Sequence, residues 1–159
     1  MSVGVGDRAP EFTLPGTDPE GGARDYSLTD FAGQPVVLVF YPGDDTPVCT
    51  KQLNAYNDGL DQFTSLGAQV VAVSAQDIPS HERFVGKHGG FAFPLLADTD
   101  KAVAGAYGTL GPIGFPRRCV FIIDGEGVIR YAHRAIAGLT YRPVSELVEA
   151  LEQLPPPRS

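Results

Sequence analysis

The chain is poor in cysteine, poor in positive charge and free of long apolar runs. It holds two cysteines, Cys49 and Cys119, in 159 residues, fewer than a small disulfide-stapled secreted scaffold would carry. Neither belongs to a Cys-x-x-Cys pair, because Gln52 stands three residues after Cys49. That argues against a thioredoxin-type dithiol and against a structural zinc site. With 12 basic and 19 acidic residues the net charge is −7. No basic cluster offsets it, so neither nucleic acid nor an anionic membrane is expected as a partner. No apolar stretch approaches the roughly 18 residues that span a bilayer. The N-terminus, Met1-Ser2-Val3-Gly4-Val5-Gly6-Asp7-Arg8, lacks the charged-then-apolar layout of a signal peptide, and a cytoplasmic location is expected.

What is present is an ordinary globular composition, 43% hydrophobic and 19% charged, in a length that encloses one core. No repeat or composition break divides it. The expectation is one domain over residues 1–154 and a flexible tail over 155–159, which opens on Pro155-Pro156-Pro157. Residues 9–14 alternate weakly and suggest a short edge strand. Ser27 suits the cap of a short helix that ends by Gly33. Residues 36–41 form a continuous β-branched and aromatic run, the pattern of a strand buried on both faces. Between residues 46 and 66, Leu53, Tyr56, Leu60, Phe63 and Leu66 recur at spacings of three and four, which predicts an amphipathic helix stopped by Gly67.

Further along, the pattern predicts a buried strand over 69–74, a helix over 79–88, a short strand over 94–97 and a short helix over 100–107. A hairpin follows, with strands over 119–124 and 128–133 around Gly125-Glu126-Gly127, and then a helix over 143–154. Strands alternating with helices, followed by a hairpin and a helix, predict an α/β fold. The order is that of the thioredoxin-like fold, a central mixed sheet flanked by helices, with an N-terminal extension.

The most informative stretch is Tyr41-Pro42-Gly43-Asp44-Asp45-Thr46-Pro47-Val48-Cys49-Thr50. It joins the buried strand to the helix and places Cys49 in the first helical turn. Unpaired N–H groups there favour thiolate over thiol. A free cysteine is more often a small core residue, but Pro, Asp and Thr packed before it at such a junction shape a polar pocket. Asp44 and Asp45 are expected to serve the turn. His81 and His88 lie seven apart with no third ligand nearby, and His133 falls on a hairpin strand, so no metal site is expected.

Pro42, Thr46 and Cys49 form a Pro-x-x-x-Thr-x-x-Cys pattern, and here the chain resembles the peroxiredoxins. The likeness continues in Gly6-Asp7-Arg8-Ala9-Pro10-Glu11-Phe12-Thr13-Leu14, in Ser74, Ser80, His81 and Phe84, and in Phe93-Pro94-Leu95-Leu96-Ala97-Asp98. It extends through Arg118-Cys119-Val120-Phe121-Ile122-Ile123-Asp124. Wording and length are most similar to the bacterioferritin-comigratory (peroxiredoxin Q) group or its one-cysteine relatives. The resemblance implies a thiol-dependent peroxidase needing no metal, haem or flavin cofactor. Cys49 would attack hydrogen peroxide or an organic hydroperoxide and become a sulfenic acid. Thr46, Arg118 and the N–H groups of Val48 and Cys49 would donate to the oxygens. Pro42 would shield the sulfur, and Gln52 would orient the arginine.

Each assignment has a plainer rival. Thr46 is also a good N-cap, Pro42 a good strand terminator, and Arg118 or Arg117 a solvated charge at a strand edge. The resemblance also implies a reducing thiol as partner: thioredoxin, glutaredoxin or a low-molecular-weight thiol. Related proteins occur as monomers, dimers and larger rings, so a homodimer is among the assemblies it allows. In the peroxiredoxin Q pattern a second cysteine often stands five residues after the first, where this chain has Asn54. Cys119 is therefore either a resolving thiol or a packing residue. Strand alternation turns it away from whatever Arg118 faces, which favours packing and an external resolving thiol. The rival functional readings are a peroxide-responsive sensor with the same cysteine chemistry but little turnover, and a non-catalytic interaction protein of the same fold.

Overall fold

Val36, Val37, Leu38, Val39 and Phe40 are buried on both sides of their strand, and the remaining elements are arranged around them. Branched and aromatic side chains suit a pleated surface, and an unbroken apolar run needs cover on both faces. The computed structural model describes residues 3–44, 47–87, 90–110, 117–134 and 142–154. Among them the order is β1 (Thr13–Thr17), β2 (Ala23–Ser27), a 3-10 turn (Leu28–Phe31), β3 (Val36–Phe40), α1 (Pro47–Asp58) and α2 (Leu60–Thr64). Then come β4 (Gln69–Ser74), α3 (Ile78–Lys87), β5 (Leu95–Ala97), α4 (Ala102–Ala106), β6 (Cys119–Ile123), β7 (Ile129–Arg134) and α5 (Val144–Glu152). The tail expected from Pro155 onward lies outside the described residues.

The strands form one mixed sheet in the order β2-β1-β5-β4-β3-β6-β7. β3, β4 and β5 run parallel, and β6 and β7 add an antiparallel hairpin beside β3. This is the thioredoxin-like arrangement expected from the sequence. Along β3 the side chains alternate between two cores. Val37, Val39 and Tyr41 meet Leu53, Tyr56, Phe63, Phe84 and Leu147. Val36, Leu38 and Phe40 meet Phe12, Tyr107, Phe121 and Ile129. No helix among the described residues is long and apolar enough to cross a membrane.

Three expectations are corrected. The first strand is Thr13–Thr17 rather than residues 9–14, and it pairs with a β2 that the periodicity did not reveal. Pro15 and Gly16 interrupt its pattern, yet Gly16 is needed. A Cβ there would stand 2.8 Å from Leu96 Cδ1 and 3.0 Å from Tyr26 Cδ2. The long helix ends at Asp58 and restarts at Leu60. Gly59 divides it because α5 crosses closely, and a Cβ would lie 3.1 Å from both methyls of Val144. Leu66, counted in the apolar stripe, lies past the helix and is exposed. The Ser27 cap does form, with its N–H donating to Asp30 Oδ2 at 2.9 Å.

Candidate active site

The chain leaves the sheet after Phe40, bends through residues 42–44, and enters α1 at Pro47. Thr46, like Asp45, lies outside the described residues. Cys49 is the third residue of α1 and is fully buried. Val48 and Cys49 thus belong to the first turn, whose leading N–H groups have no acceptor within the helix. Pro42 lies half-buried in the bend.

Arg118 reaches this point from the opposite direction. The β3–β6 register pairs Phe40 with Cys119, so Arg118, one residue before β6, stands at the end of the sheet where Tyr41 departs for α1. Its Nη1 donates to Cys49 Sγ at 3.2 Å and to Gln52 Oε1 at 2.7 Å. Gln52 follows Cys49 by three residues and so shares its helical face. Its Nε2 donates to the Tyr56 hydroxyl at 3.4 Å, and that hydroxyl donates to the Arg142 carbonyl at 2.7 Å. All of Cys49, Gln52 and Tyr56 are fully buried, and Arg118 is nearly so. A fixed cation therefore meets the sulfur away from bulk water, where electrostatic interactions weaken least.

Beside the bend sits a polar cluster that the sequence reading missed. Asp44 occupies the turn as expected, but its carboxylate is buried and collects three donors. Oδ1 accepts from the Tyr41 hydroxyl at 2.7 Å, and Oδ2 accepts from the Ser80 hydroxyl at 2.8 Å. His81 Nδ1 lies 2.7 Å from the same Oδ2, and His81 Nε2 lies 3.0 Å from the Leu96 carbonyl oxygen. Burial pushes the Asp44 carboxyl up, but the hydrogen bond and charge of His81, helped by Tyr41 and Ser80, outweigh it and hold the group below its ordinary value. Burial first, then Asp44, raises the Tyr41 phenol well above its own. The available signal was the spacing of His81 and Phe84, three apart on one helix, which puts the imidazole on the apolar face. His88 lies outside the described residues.

Cys119 packs in the other core, with Phe40 and Phe121, while Cys49 packs with Val39 and Leu53. The sheet lies between the two thiols.

The chain matches the AhpC/TSA family model over residues 5–132. It is 36% identical over 154 residues to a rice protein described as a putative chloroplastic peroxiredoxin Q [Oryza sativa subsp. indica], covering 96% of this chain and 67% of that one. A putative peroxiredoxin bcp of Coxiella burnetii is 40% identical over 136 residues, covering 81% and 87%. Among solved structures, Mycobacterium bovis AhpC superposes with a TM-score of 0.87 at 25% identity, covering 96% and 92%. The Plasmodium vivax 2-Cys peroxiredoxin, in its reduced form, gives 0.85 at 26% identity over 93% of this chain and 80% of that chain. Family model, relatives and fold agree that the chain belongs to the AhpC/TSA family and is a peroxiredoxin, a thiol-dependent peroxidase.

Proposed function

We propose that Cys49 is the thiolate that reduces peroxide and that Arg118 is its permanent cationic partner. The observation that carries this reading is the Arg118 Nη1 contact with Cys49 Sγ at 3.2 Å, in a setting where both groups are buried. A buried guanidinium is costly unless an anion faces it, and the Cys49 thiolate is such an anion. In-line attack forms an S–O bond and breaks the O–O bond. Sulfur loses two electrons, and the departing oxygen takes up a proton to leave as water or an alcohol. Charge grows on that oxygen during the step, so donors aimed at it lower the barrier. Arg118 and the N–H groups at the start of α1 are placed to donate, and Thr46 joins them by its place in the motif. Pro42 limits water access, and Gln52 holds the guanidinium.

The sulfenic acid is then resolved from outside. An external thiol attacks its sulfur, water leaves, and a second thiol frees Cys49 from the mixed disulfide. Cys119, across the sheet, is assigned to packing. Thioredoxin, glutaredoxin or a low-molecular-weight thiol fits this role, and a homodimer and a cytoplasmic setting belong to the same reading. The bcp relative is bacterial, whereas the rice relative is described as chloroplastic. Residues 1–154 act here as one domain. A sensor with little turnover is not favoured, given relatives described as peroxiredoxins. The test is peroxide consumption with excess dithiothreitol by the native chain and by Cys49→Ser. Loss of turnover in the variant is expected, and undiminished turnover would overturn the assignment.

A further inference from the structure

The buried couple of Asp44 and His81 sits beside the peroxide site without touching the sulfur, and its geometry is more demanding than a packing role requires. His81 lies on α3 with a fully buried side chain. Its two ring nitrogens face two acceptors: Nδ1 faces Asp44 Oδ2 at 2.7 Å and Nε2 faces the Leu96 carbonyl at 3.0 Å. A carbonyl oxygen can only accept, so Nε2 carries a proton. A carboxylate with donors already on both oxygens also accepts, so Nδ1 carries one too. Either neutral tautomer would set a nitrogen lone pair against an oxygen lone pair in a dry site, which costs the full desolvation penalty. In this geometry the ring is an imidazolium and Asp44 its counter-ion.

That couple ties together three segments that meet at the site. Asp44 belongs to the bend between β3 and α1, whose N-terminus carries Cys49. His81 anchors it to α3, and Leu96 anchors His81 to β5. The Asp44 N–H donates to Gln76 Oε1, which fastens the bend to the loop after β4. A Cβ on Gly43 would come within 3.0 Å of the same oxygen, so the bend is held against that loop at close range. Tyr41 bridges the couple to the sulfur side. Its hydroxyl is bonded to Asp44 and lies 3.4 Å from His81 Nδ1, and a negative charge on Cys49 helps to raise its phenol. The groups facing the couple among the described residues are Tyr41 from the end of β3, Ser80 from α3 and, past Tyr41, Cys49 with Arg118.

The geometry points to His81 as a positioning residue for the peroxidase reaction: as an imidazolium clamped between Asp44 and Leu96, it fixes the bend that sets the donors around Cys49. The inference rests on the peroxidase reading of Cys49. A displacement of about 1 Å among reacting groups costs on the order of a hundredfold in rate, so loss of the clamp should be visible in chemistry as well as in stability.

The experiment compares the native chain with His81→Leu and with His81→Asn, whose amide can replace Nδ1 as donor to Asp44. Three readouts are taken: the second-order rate of Cys49 oxidation by hydrogen peroxide, the rate of its alkylation by iodoacetamide, and the melting temperature. Expected is a drop of roughly ten- to a hundredfold in peroxide rate for His81→Leu. Alkylation, which does not use the oxygen donors, should change far less, and His81→Asn should recover most of the peroxide rate. If peroxide and alkylation rates fall together, or if only the melting temperature falls, the positioning role is wrong. Nitrogen-15 spectra of the native His81 ring test the clamp apart from any activity and serve if His81→Leu does not fold. Protons on both ring nitrogens are expected, and a bare nitrogen facing Asp44 would overturn the inference. A native chain that consumes no peroxide would instead overturn the reading of Cys49, whatever the spectra show.

Discussion

Replacing Arg118 by methionine isolates the electrostatic part of the proposed chemistry. Methionine approaches arginine in length and flexibility and fills an irregular apolar gap, so the change removes charge and donors while leaving much of the volume. Two contacts disappear, one to Cys49 Sγ at 3.2 Å and one to Gln52 Oε1 at 2.7 Å. At an effective dielectric constant of about 20, unit charges separated by that sulfur contact attract by about 5 kcal/mol. Only part of this acts on the barrier, because the thiolate already benefits before reaction. The remainder follows the charge as it moves onto the departing oxygen. Loss of one donor to a developing oxyanion costs about 2.7–4 kcal/mol in comparable sites, or a hundred- to a thousandfold in rate.

The expected result is therefore a fall of about a hundredfold or more in the second-order rate with hydrogen peroxide, read by stopped-flow fluorescence or competition kinetics. Gln52 Oε1 would lose a buried donor, a cost of about 1–3 kcal/mol in stability, so the assay is run well below the variant's melting transition. Arg118→Lys keeps a charge but not a planar fork, and should fall between the two. A folded Arg118→Met that oxidises within about threefold of the native rate would refute the electrostatic reasoning.

Three further outcomes are expected. Cys119→Ala should leave turnover with an external thiol unchanged and lower stability by about 1 kcal/mol. Intact mass after one equivalent of peroxide should show one added oxygen on Cys49, and an internal disulfide would contradict this. Because the Asp44 carboxyl is held below its ordinary value, its contribution to stability is complete above about pH 4 and is lost as pH falls through the lowered value. Acid denaturation of Asp44→Asn should accordingly be less steep in that window, and a curve parallel to the native one would count against the pairing. Gly16→Ala should destabilise by about 1–3 kcal/mol through its clash with Leu96 and Tyr26, measured by urea denaturation; a neutral result would show that β5 gives way.

The parts of the molecule that were legible in the sequence are those governed by local periodicity. The central strand, β4 at Gln69–Ser74 and the hairpin around Gly125–Gly127 follow from runs and turn residues that act over a few positions. The first-turn placement of Cys49 follows from an apolar strand running into a helical stripe. β1 and β2 were illegible because Pro15 and Gly16 break the alternation, and an edge hairpin tolerates both where its neighbour comes close. The division at Gly59 was hidden for a similar reason. It answers to Val144, far away in the chain.

The sequence by itself determined the kind of site: a cysteine at a helix start, a motif around it, and an arginine on a later strand. The tertiary structure decided which side chains meet. Arg118 and Cys49 are 69 positions apart, and Asp44 and His81 are 37 apart. Periodicity fixes the face on which a residue lies, but only strand order and register fix what that face meets. The antiparallel pairing of Phe40 with Cys119 brings Arg118 to the sulfur and turns the second thiol away. The parallel pairing of β4 with β5 places Leu96 beneath His81. Those contacts depend on long-range packing against two cores, and no local pattern in the chain encodes them.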